Sequence, residues 1–143
     1  MNRATRARVA PLLVFLLAST SLLVMMTDVV SAGRPKCFGR VATHVGGAGR
    51  DDIDGTSGPD VIVTRGGNDD IDGRGGRDRI CAGGGSDEIN GDAGDDRLKG
   101  GPGNDELDGD GGNDVLRGGG GFDDLDGGRG RDRCFGGEDV ERC

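Results

Sequence analysis

A nine-residue motif is repeated ten times without interruption between residues 46 and 135. The fourth residue of every copy is Gly and the sixth is Asp. The eighth residue forms an apolar column that runs Ile53, Ile62, Ile71, Ile80, Ile89, Leu98, Leu107, Leu116, Leu125 and Cys134. A strict period of this kind is typical of repeat architectures, in which each copy forms one structural unit and neighbouring units stack.

Each copy divides into a turn and a short strand. The aligned motif reads Gly-Gly-x-Gly-x-Asp-x-U-x, where U is apolar. The glycine-rich first six residues predict a tight turn. The last three predict a strand that sends U to one face and its two neighbours to the other. Two copies then close one coil of 18 residues, so odd copies stack into one parallel sheet and even copies into a second.

The predicted core is thin, because only one residue in nine is buried in a chain that contains 32 Gly. Burial of this column does not offset the conformational entropy of ordering the turns. Such a polar, charged chain is expected to stay unfolded without a further source of free energy. Metal binding can supply it, since stacked turns offer pairs of carboxylates and glycine carbonyls. This all-oxygen set suits Ca²⁺ better than Mg²⁺, which demands strict octahedral geometry.

The motif resembles the hemolysin-type calcium-binding (RTX) nonapeptide repeat, and ten copies in register make the resemblance specific. It implies an all-β fold, a right-handed parallel β-roll, with calcium as its cofactor. It also implies that the sixth-position carboxylates bind calcium with help from turn carbonyls. The expected ligands are Asp51, Asp60, Asp69, Asp78, Asp87, Asp96, Asp105, Asp114, Asp123 and Asp132. Pairing each copy with the copy two further along gives eight complete sites, from Asp51/Asp69 to Asp114/Asp132.

Some copies depart from the motif, and we expect weaker calcium binding there. The second copy has Pro59 immediately before its Asp. The third and fifth copies begin with Thr64 and Ala82 instead of Gly. Arg65 and Arg74 replace the second Gly in two adjacent copies.

The first 32 residues predict a signal peptide. Three arginines precede an apolar stretch over residues 12–26, and Val30-Ser31-Ala32 supplies the small residues of a cleavage site, which we place after Ala32. An uncleaved signal anchor is the competing interpretation, although the apolar stretch is short for a membrane span. Cleavage leaves a secreted chain, residues 33–143.

The phase of the repeat extends beyond both of its ends. It predicts an N-terminal cap over 33–45, ten repeats over 46–135 and a C-terminal cap over 136–143. In the first cap Ala42 falls at the Asp position and His44 at the apolar position, which favours a cap histidine over a metal ligand or catalytic group. In the last cap Glu141 falls at the Asp position and Cys143 at the apolar position. Glu141 is therefore expected to complete the half-site next to Asp123.

Four cysteines in an exported chain predict two disulfides. Three connectivities are possible, and we favour Cys37–Cys81 with Cys134–Cys143. Cys134 and Cys143 fall at successive inward positions, whereas Cys81 faces outward at a ninth position. The spacing contains no CxxC pair, which makes a zinc or redox site improbable.

The composition excludes several classes of function. A net charge of −8 argues against nucleic acid as a partner, and no membrane association is expected after signal cleavage. No G-x-S-x-G, HExxH or EF-hand pattern occurs, and the segments outside the repeats are too short to hold an active site or a pore-forming domain. Arginine-rich stretches such as residues 129–133 fit a solvated outer face better than a partner-binding strip.

The sequence therefore predicts a secreted, non-enzymatic protein that folds as several calcium ions bind between stacked turns. The alternative is an extracellular adhesion, matrix or cell-surface structural protein that uses calcium only for folding. The sequence names no protein or cell-envelope partner.

Overall fold

The computed structural model describes residues 33–143, and over this range the secondary structure consists of short strands. No helix in the described range is long and apolar enough to cross a membrane. The strands are β1 (Lys36–Cys37), β2 (Arg40–Val41), β3 (His44–Val45), β4 (Asp52–Asp54), β5 (Val61–Val63), β6 (Asp70–Asp72), β7 (Gly75–Gly76), β8 (Arg79–Cys81), β9 (Glu88–Asn90), β10 (Ala93–Gly94), β11 (Arg97–Pro102), β12 (Glu106–Asp108), β13 (Gly111–Gly112), β14 (Val115–Gly120), β15 (Asp124–Asp126), β16 (Arg129–Gly130), β17 (Arg133–Phe135) and β18 (Asp139–Glu141).

Two six-stranded parallel sheets form the body of the molecule. Even-numbered copies supply the even sheet, in the order β17-β14-β11-β8-β5-β3, and odd-numbered copies supply the odd sheet, in the order β18-β15-β12-β9-β6-β4. Leu98 pairs with Ile80 on one side and with Leu116 on the other, which sets a constant offset of one coil. The predicted two-sheet solenoid of stacked 18-residue coils is therefore confirmed.

The apolar column of the motif forms the main core between the two sheets. Its central members, from Ile62 to Leu125, are essentially inaccessible to solvent. Ile53 and Cys134 pack against the two ends of this column and are partly exposed. Alternation along each strand thus sends the eighth residue inward, as the period-two geometry requires.

The turns of the even copies add a third parallel ladder, in which β7, β10, β13 and β16 stack along one edge. The fourth-position glycine makes this stacking possible. At Gly76, for example, φ is +132°, and a Cβ atom would lie 2.8 Å from the carbonyl oxygen of Gly58 in the preceding coil. A side chain at this position is excluded both by backbone conformation and by contact with the adjacent turn.

An antiparallel hairpin of β1 and β2 covers the outside of the even sheet at its N-terminal end. Cys37 and Ala42 pack there against Val61 and Val63, which form a second, smaller core. The second copy carries Val at both outward positions of its strand because the hairpin shields them from water. The disulfide between Cys37 and Cys81 anchors the hairpin with a Cα–Cα distance of 5.8 Å.

The N-terminal cap follows the extended phase. His44 pairs in register with Ile62, which confirms its inward position at the start of the even sheet. Its Nδ1 lies 3.5 Å from Oδ1 of Asp60, a carboxylate neighbour that the sequence did not indicate. The side chain of Thr43 also donates to this oxygen, at 3.4 Å.

The expected phase of the C-terminal cap is wrong. Val140, not Cys143, pairs with Leu125, and Glu141 pairs with Asp126 on the outer face of the odd sheet. The last turn is shorter by three residues, because its fourth residue is Asp139 and the turn lacks the glycine that the stacked conformation needs. Glu141 therefore does not complete a half-site beside Asp123. The Cys134–Cys143 disulfide forms as predicted, with a Cα–Cα distance of 5.8 Å.

Candidate metal centre

The sixth-position aspartates line the two edges of the solenoid where turns stack on turns. Eight of them are buried, with no more than 4% of their surface exposed: Asp60, Asp69, Asp78, Asp87, Asp96, Asp105, Asp114 and Asp123. Asp51 and Asp132, at the two ends of the array, are half-buried. The odd copies supply one column of carboxylates and the even copies supply the other.

One carboxylate oxygen of each stacked aspartate has a defined partner. Oδ1 accepts a hydrogen bond from the backbone N–H of the aspartate one coil earlier, as in the 2.7 Å bond from Asp78 to Asp96. Eight such bonds connect the pairs Asp51/Asp69, Asp60/Asp78, Asp69/Asp87, Asp78/Asp96, Asp87/Asp105, Asp96/Asp114, Asp105/Asp123 and Asp114/Asp132. These are the eight pairs that the period predicts.

Among residues 33–143, the second oxygen of the same aspartates has no hydrogen-bond partner. Oδ2 is buried without a hydrogen bond in Asp69, Asp78, Asp87, Asp96, Asp105, Asp114, Asp123 and Asp132. At the N-terminal end, by contrast, the Oδ2 atom of Asp51 accepts from Gly47 N at 2.6 Å, and that of Asp60 accepts from Thr56 N at 2.7 Å. A buried carboxylate oxygen without a partner is costly, and this cost recurs along both edges.

Burial perturbs the proton affinity of these carboxylates. Desolvation, partly offset by the backbone hydrogen bond and reinforced by neighbouring carboxylates, raises the pKa of Asp96 to about 7. Desolvation likewise raises the pKa of Asp105 to about 6 and that of Asp114 to about 6. The pKa values of Asp78 and Asp87 are raised for the same reason. The edges of the roll therefore disfavour uncompensated negative charge.

In six of these copies the unpartnered Oδ2 faces a first-position glycine, and in five of the six a backbone carbonyl from a later part of the chain lies beside it. At Gly109, an added Cβ atom would lie 2.9 Å from Asp114 Oδ2 and 2.8 Å from the carbonyl oxygen of Gly127. At Gly91 the corresponding Cβ would approach Asp96 Oδ2 at 3.1 Å and a carbonyl oxygen at 3.2 Å. Absence of a side chain at position one thus leaves a small cradle lined by oxygen atoms.

This donor set fits calcium. Within residues 33–143, no three His, Cys, Asp or Glu side chains come together at one point, so backbone carbonyls must supply much of any coordination shell. Two carboxylates and several carbonyls form the hard oxygen environment that Ca²⁺ accepts with flexible geometry. No thiolate takes part, because all four cysteines are in disulfides. The unpartnered Oδ2 atoms are the groups that a cation would compensate.

Two of the atypical copies place a side chain in the position-one cradle. Thr64 is buried and its Oγ1 donates to the carbonyl oxygen of Ala82 in the next coil, while Ala82 is itself fully buried. The carbonyl of Ala82 is therefore engaged by a hydroxyl group next to the Asp69 turn. The expectation of weaker binding at these copies stays a prediction.

The turns also contain a polar ladder that the nine-residue period did not reveal. Fifth-position side chains accept from the backbone of the next coil, as when Asn68 Oδ1 accepts from Ser86 N at 3.0 Å. Asp95 does the same for Asn113 N at 3.1 Å and also binds the guanidinium of Arg77. Repeated Asn and Asp at this position, in Asn68, Asp95, Asn104 and Asn113, are the sequence signal.

The fold and the carboxylate columns define a repeat β-solenoid of the calcium-binding type. The family described as the RTX calcium-binding nonapeptide repeat matches residues 45–80, 82–116 and 108–140. The chain belongs to this family, which confirms the resemblance seen in the motif. Searches among curated proteins and among solved structures give no match.

Proposed function

We propose that this protein is a secreted calcium-binding β-roll whose chain folds as calcium ions bind between its stacked turns. The observation that carries the proposal is the set of eight buried Oδ2 atoms without a hydrogen-bond partner. Because these unpartnered oxygens recur regularly, they indicate a compensating cation and not isolated unsatisfied groups. Membership of the RTX calcium-binding repeat family supports the same ion.

The ten sixth-position aspartates are the proposed ligands, in the eight stacked pairs from Asp51/Asp69 to Asp114/Asp132. Oδ2 of the aspartate and the carbonyl oxygen beside the position-one glycine would contribute to each site. Bound calcium would supply positive charge to a stack of buried carboxylates. Without it, desolvation and mutual repulsion oppose the folded state, as the raised pKa of Asp96 illustrates.

We infer that calcium binds after the chain is secreted. Two disulfides fit an oxidising compartment outside the cytosol. The proposed signal peptide, residues 1–32, lies outside the described residues. Where calcium is scarce the chain is expected to be unfolded and suited to translocation, and extracellular sites with dissociation constants of ~10⁻⁴–10⁻³ M fill after export.

The proposed role is non-catalytic, as membership of the RTX calcium-binding repeat family supports. The stacked aspartates form repeated ladders with backbone partners, an arrangement suited to holding ions. An extracellular structural or adhesive role, with calcium needed only for folding, is the second candidate. This second candidate is favoured by the outer surfaces of the two sheets, because outward residues of the odd sheet are mostly acidic and several of the even sheet are basic.

Circular dichroism of the disulfide-intact protein, in chelator and after addition of calcium, tests the proposal. We expect little β-structure in excess chelator and recovery of the β-roll spectrum on titration with calcium. A chain that keeps the same folded spectrum and thermal transition in excess chelator contradicts folding on binding. Magnesium at equal concentration is the control ion, because its strict octahedral geometry suits these sites poorly.

A pair of neighbouring substitutions gives a residue-level test. Asp96→Asn keeps one acceptor oxygen in the column but removes a buried charge, whereas Asp95→Asn removes the same charge from an adjacent, partly exposed side chain. We expect Asp96→Asn to lower calcium affinity and to stabilise the calcium-free protein. Asp95→Asn should leave the calcium stoichiometry unchanged. Equal calcium binding by both variants and wild type, measured by isothermal titration calorimetry, contradicts the ligand assignment.

A further inference from the structure

The two outer faces of the roll carry opposite charges. The acidic face consists of the outward residues of the odd-sheet strands, which are motif positions seven and nine in the repeats and the corresponding positions of β18. These residues are Asp52, Asp54, Asp70, Asp72, Glu88, Asn90, Glu106, Asp108, Asp124, Asp126, Asp139 and Glu141. The basic face consists of the cationic outward residues of the even sheet: Arg79, Arg97, Lys99, Arg117 and Arg133, all of them exposed except Arg79, which is partly buried. No outward residue of the odd-sheet strands is cationic, and none of the even-sheet strands β5 to β17 is acidic.

The cations of the basic face have no acidic partner among residues 33–143. In the part of the chain that the structure describes, none of the five lies within 4.0 Å of a carboxylate, although acidic residues outnumber basic ones 26 to 18 in the sequence. Arg117 instead lies over the rings of Phe38 and Phe135, at 6.0 Å and 5.7 Å from their centroids. Burial and the neighbouring charges of Arg40, Arg97 and Arg77 lower the pKa of Arg79. The basic face thus concentrates positive charge without neutralising it.

The acidic face is only partly neutralised. Arginines from the turns reach three of its carboxylates, with Arg74 at 2.8 Å from Asp54, Arg142 at 3.2 Å from Asp126 and Arg50 at 4.0 Å from Asp70. The central position-seven residues, Glu88, Glu106 and Asp124, are exposed and have no cation within 4.0 Å among the described residues. Three stacked, unpaired carboxylates therefore occupy the middle of this face.

We propose that calcium-loaded copies of this protein associate side by side, with the basic face of one copy against the acidic face of the next. Both faces are built on strands of the same solenoid, so their charges recur at the same rung spacing of ~4.8 Å. The ladder of cations on one copy therefore matches the ladder of carboxylates on another in steps of one rung. The opposite charges of the two ladders favour a second copy as the occupant of each face.

The geometry also sets the form of the assembly. The two faces lie on opposite sides of the two-sheet core, so a copy that uses one face for a neighbour still presents the other. Because the two faces are on opposite sides, this heterologous contact generates open rows. A face five rungs long, roughly 24 Å, is small for a protein interface, so the contact is weak and depends on ionic strength.

The inference uses the folded roll and therefore rests on the proposed function, while adding a partner to it. Charge reversal tests it by sedimentation velocity at saturating calcium and low ionic strength. Wild type should reach a weight-average mass at least about twice that of the monomer, since each copy has two contact faces. High ionic strength should return it to the monomer.

Two triple variants each remove one half of the contact. Arg97→Glu/Lys99→Glu/Arg117→Glu makes the basic face acidic, and Glu88→Lys/Glu106→Lys/Asp124→Lys makes the acidic face basic. Each variant alone should be monomeric at low ionic strength. The sixfold variant that combines them exchanges the two charges, restores the net charge of wild type and should associate again.

A matched control separates face charge from net charge. Arg65→Glu/Arg129→Glu/Arg131→Glu makes the same change in net charge at exposed turn positions outside the basic face. It should associate as wild type does. Equal loss of association in this control, or a sixfold variant that stays monomeric while folded, overturns the proposal. A wild-type protein that binds calcium and folds but remains monomeric overturns the association alone, whereas failure to bind calcium overturns the proposed function.

Discussion

The buried Oδ2 atoms of the aspartate columns make the calcium-free roll sensitive to pH. Burial raises the pKa of Asp96 from its ordinary value of 3.8 to about 7, and those of Asp105 and Asp114 to about 6. These carboxyls bind protons more tightly in the roll than in the unfolded chain. Their ionisation therefore destabilises the fold, and protonation relieves this effect.

We expect the free energy of unfolding of the calcium-free protein to increase as pH falls from about 7 towards 4, because the folded state takes up more protons across this window. Calcium affinity should fall over the same range, since protons and calcium compete for the carboxylates. Circular dichroism in chelator at several pH values measures the first effect, as a gain of β-structure when the pH falls. Asp96→Asn should flatten the dependence. Stability that rises with pH across this window contradicts the assigned desolvation.

The position-one cradle provides a steric prediction. Gly109→Ala should destabilise the calcium-loaded roll by about 1–3 kcal/mol and weaken one site, because the new methyl group would crowd Asp114 Oδ2 and the carbonyl of Gly127. Gly75→Ala is the matched control. Its methyl group would meet only a carbonyl oxygen at 3.7 Å, and the sixth copy already carries Ala93 at this position. Calorimetric titration with calcium compares the affinities of both variants and wild type. Equal calcium affinities would contradict the assignment of a calcium site beside Gly109.

At single positions, the period predicted the inward apolar column and the eight aspartate pairs. Both favoured disulfides also form, although Cys143 is not at the inward position that the period assigned to it. It could not predict that Oδ1 and Oδ2 have different environments, because this depends on atomic positions in stacked turns. The contact between His44 and Asp60 was missed for a related reason. It joins residues from adjacent coils, and no pattern within one copy specifies it.

The N-terminal hairpin is an element that the repeat does not encode. It converts the N-terminal part of the outer face of the even sheet into a second core, with Cys37 held over Cys81 by the disulfide. The signal for it was present, since only the second copy has apolar residues at positions seven, eight and nine.

Two valines at equivalent positions test this packing. Val61 is buried under the hairpin, whereas Val115 occupies position seven of an uncovered strand and is partly exposed. Val61→Thr should reduce the free energy of unfolding by about 1–2 kcal/mol, because it places a hydroxyl group in an apolar contact. Val115→Thr should change it by less than about 0.5 kcal/mol. Thermal or chemical denaturation in saturating calcium measures both, and equal effects argue against the second core.

The C-terminal element shows the limit of extrapolating a period. The expected final copy assumed nine residues, but the turn needs glycine at its fourth position, and Asp139 is there instead. The chain shortens the turn, and β18 joins the odd sheet with Val140 opposite Leu125. The residue type at one turn position therefore determines the register of the last strand.

The whole molecule has two periods. The core and the aspartate columns repeat every nine residues, while the charge of the outward residues repeats every 18, since odd and even copies differ in sign. The shorter period predicted the solenoid and the stacked aspartate pairs. The longer one became visible only when stacking separated the two kinds of copy into different sheets.

These periods predict different outcomes for deletions of one copy and of one coil. Removing residues 91–108 deletes a full coil, and the shortened protein should fold in calcium with about two fewer sites, because each coil contacts only its neighbours. Removing 91–99 keeps the inward column but transfers every later copy to the opposite sheet. That variant should retain calcium-induced folding and lose the association. Calcium stoichiometry, circular dichroism and sedimentation measure the three properties, and an unfolded coil-deletion variant in saturating calcium contradicts modular stacking.

The constant one-coil offset also has an evolutionary consequence. A gene for such a chain could gain or lose segments and still encode a stacked roll, but only changes that preserve the parity of the copy number would leave both outer faces intact. Duplication of a single motif would exchange the surfaces of everything that follows it. Selection on those surfaces would therefore make the pair of motifs, and not the single motif, the unit by which related chains lengthen or shorten.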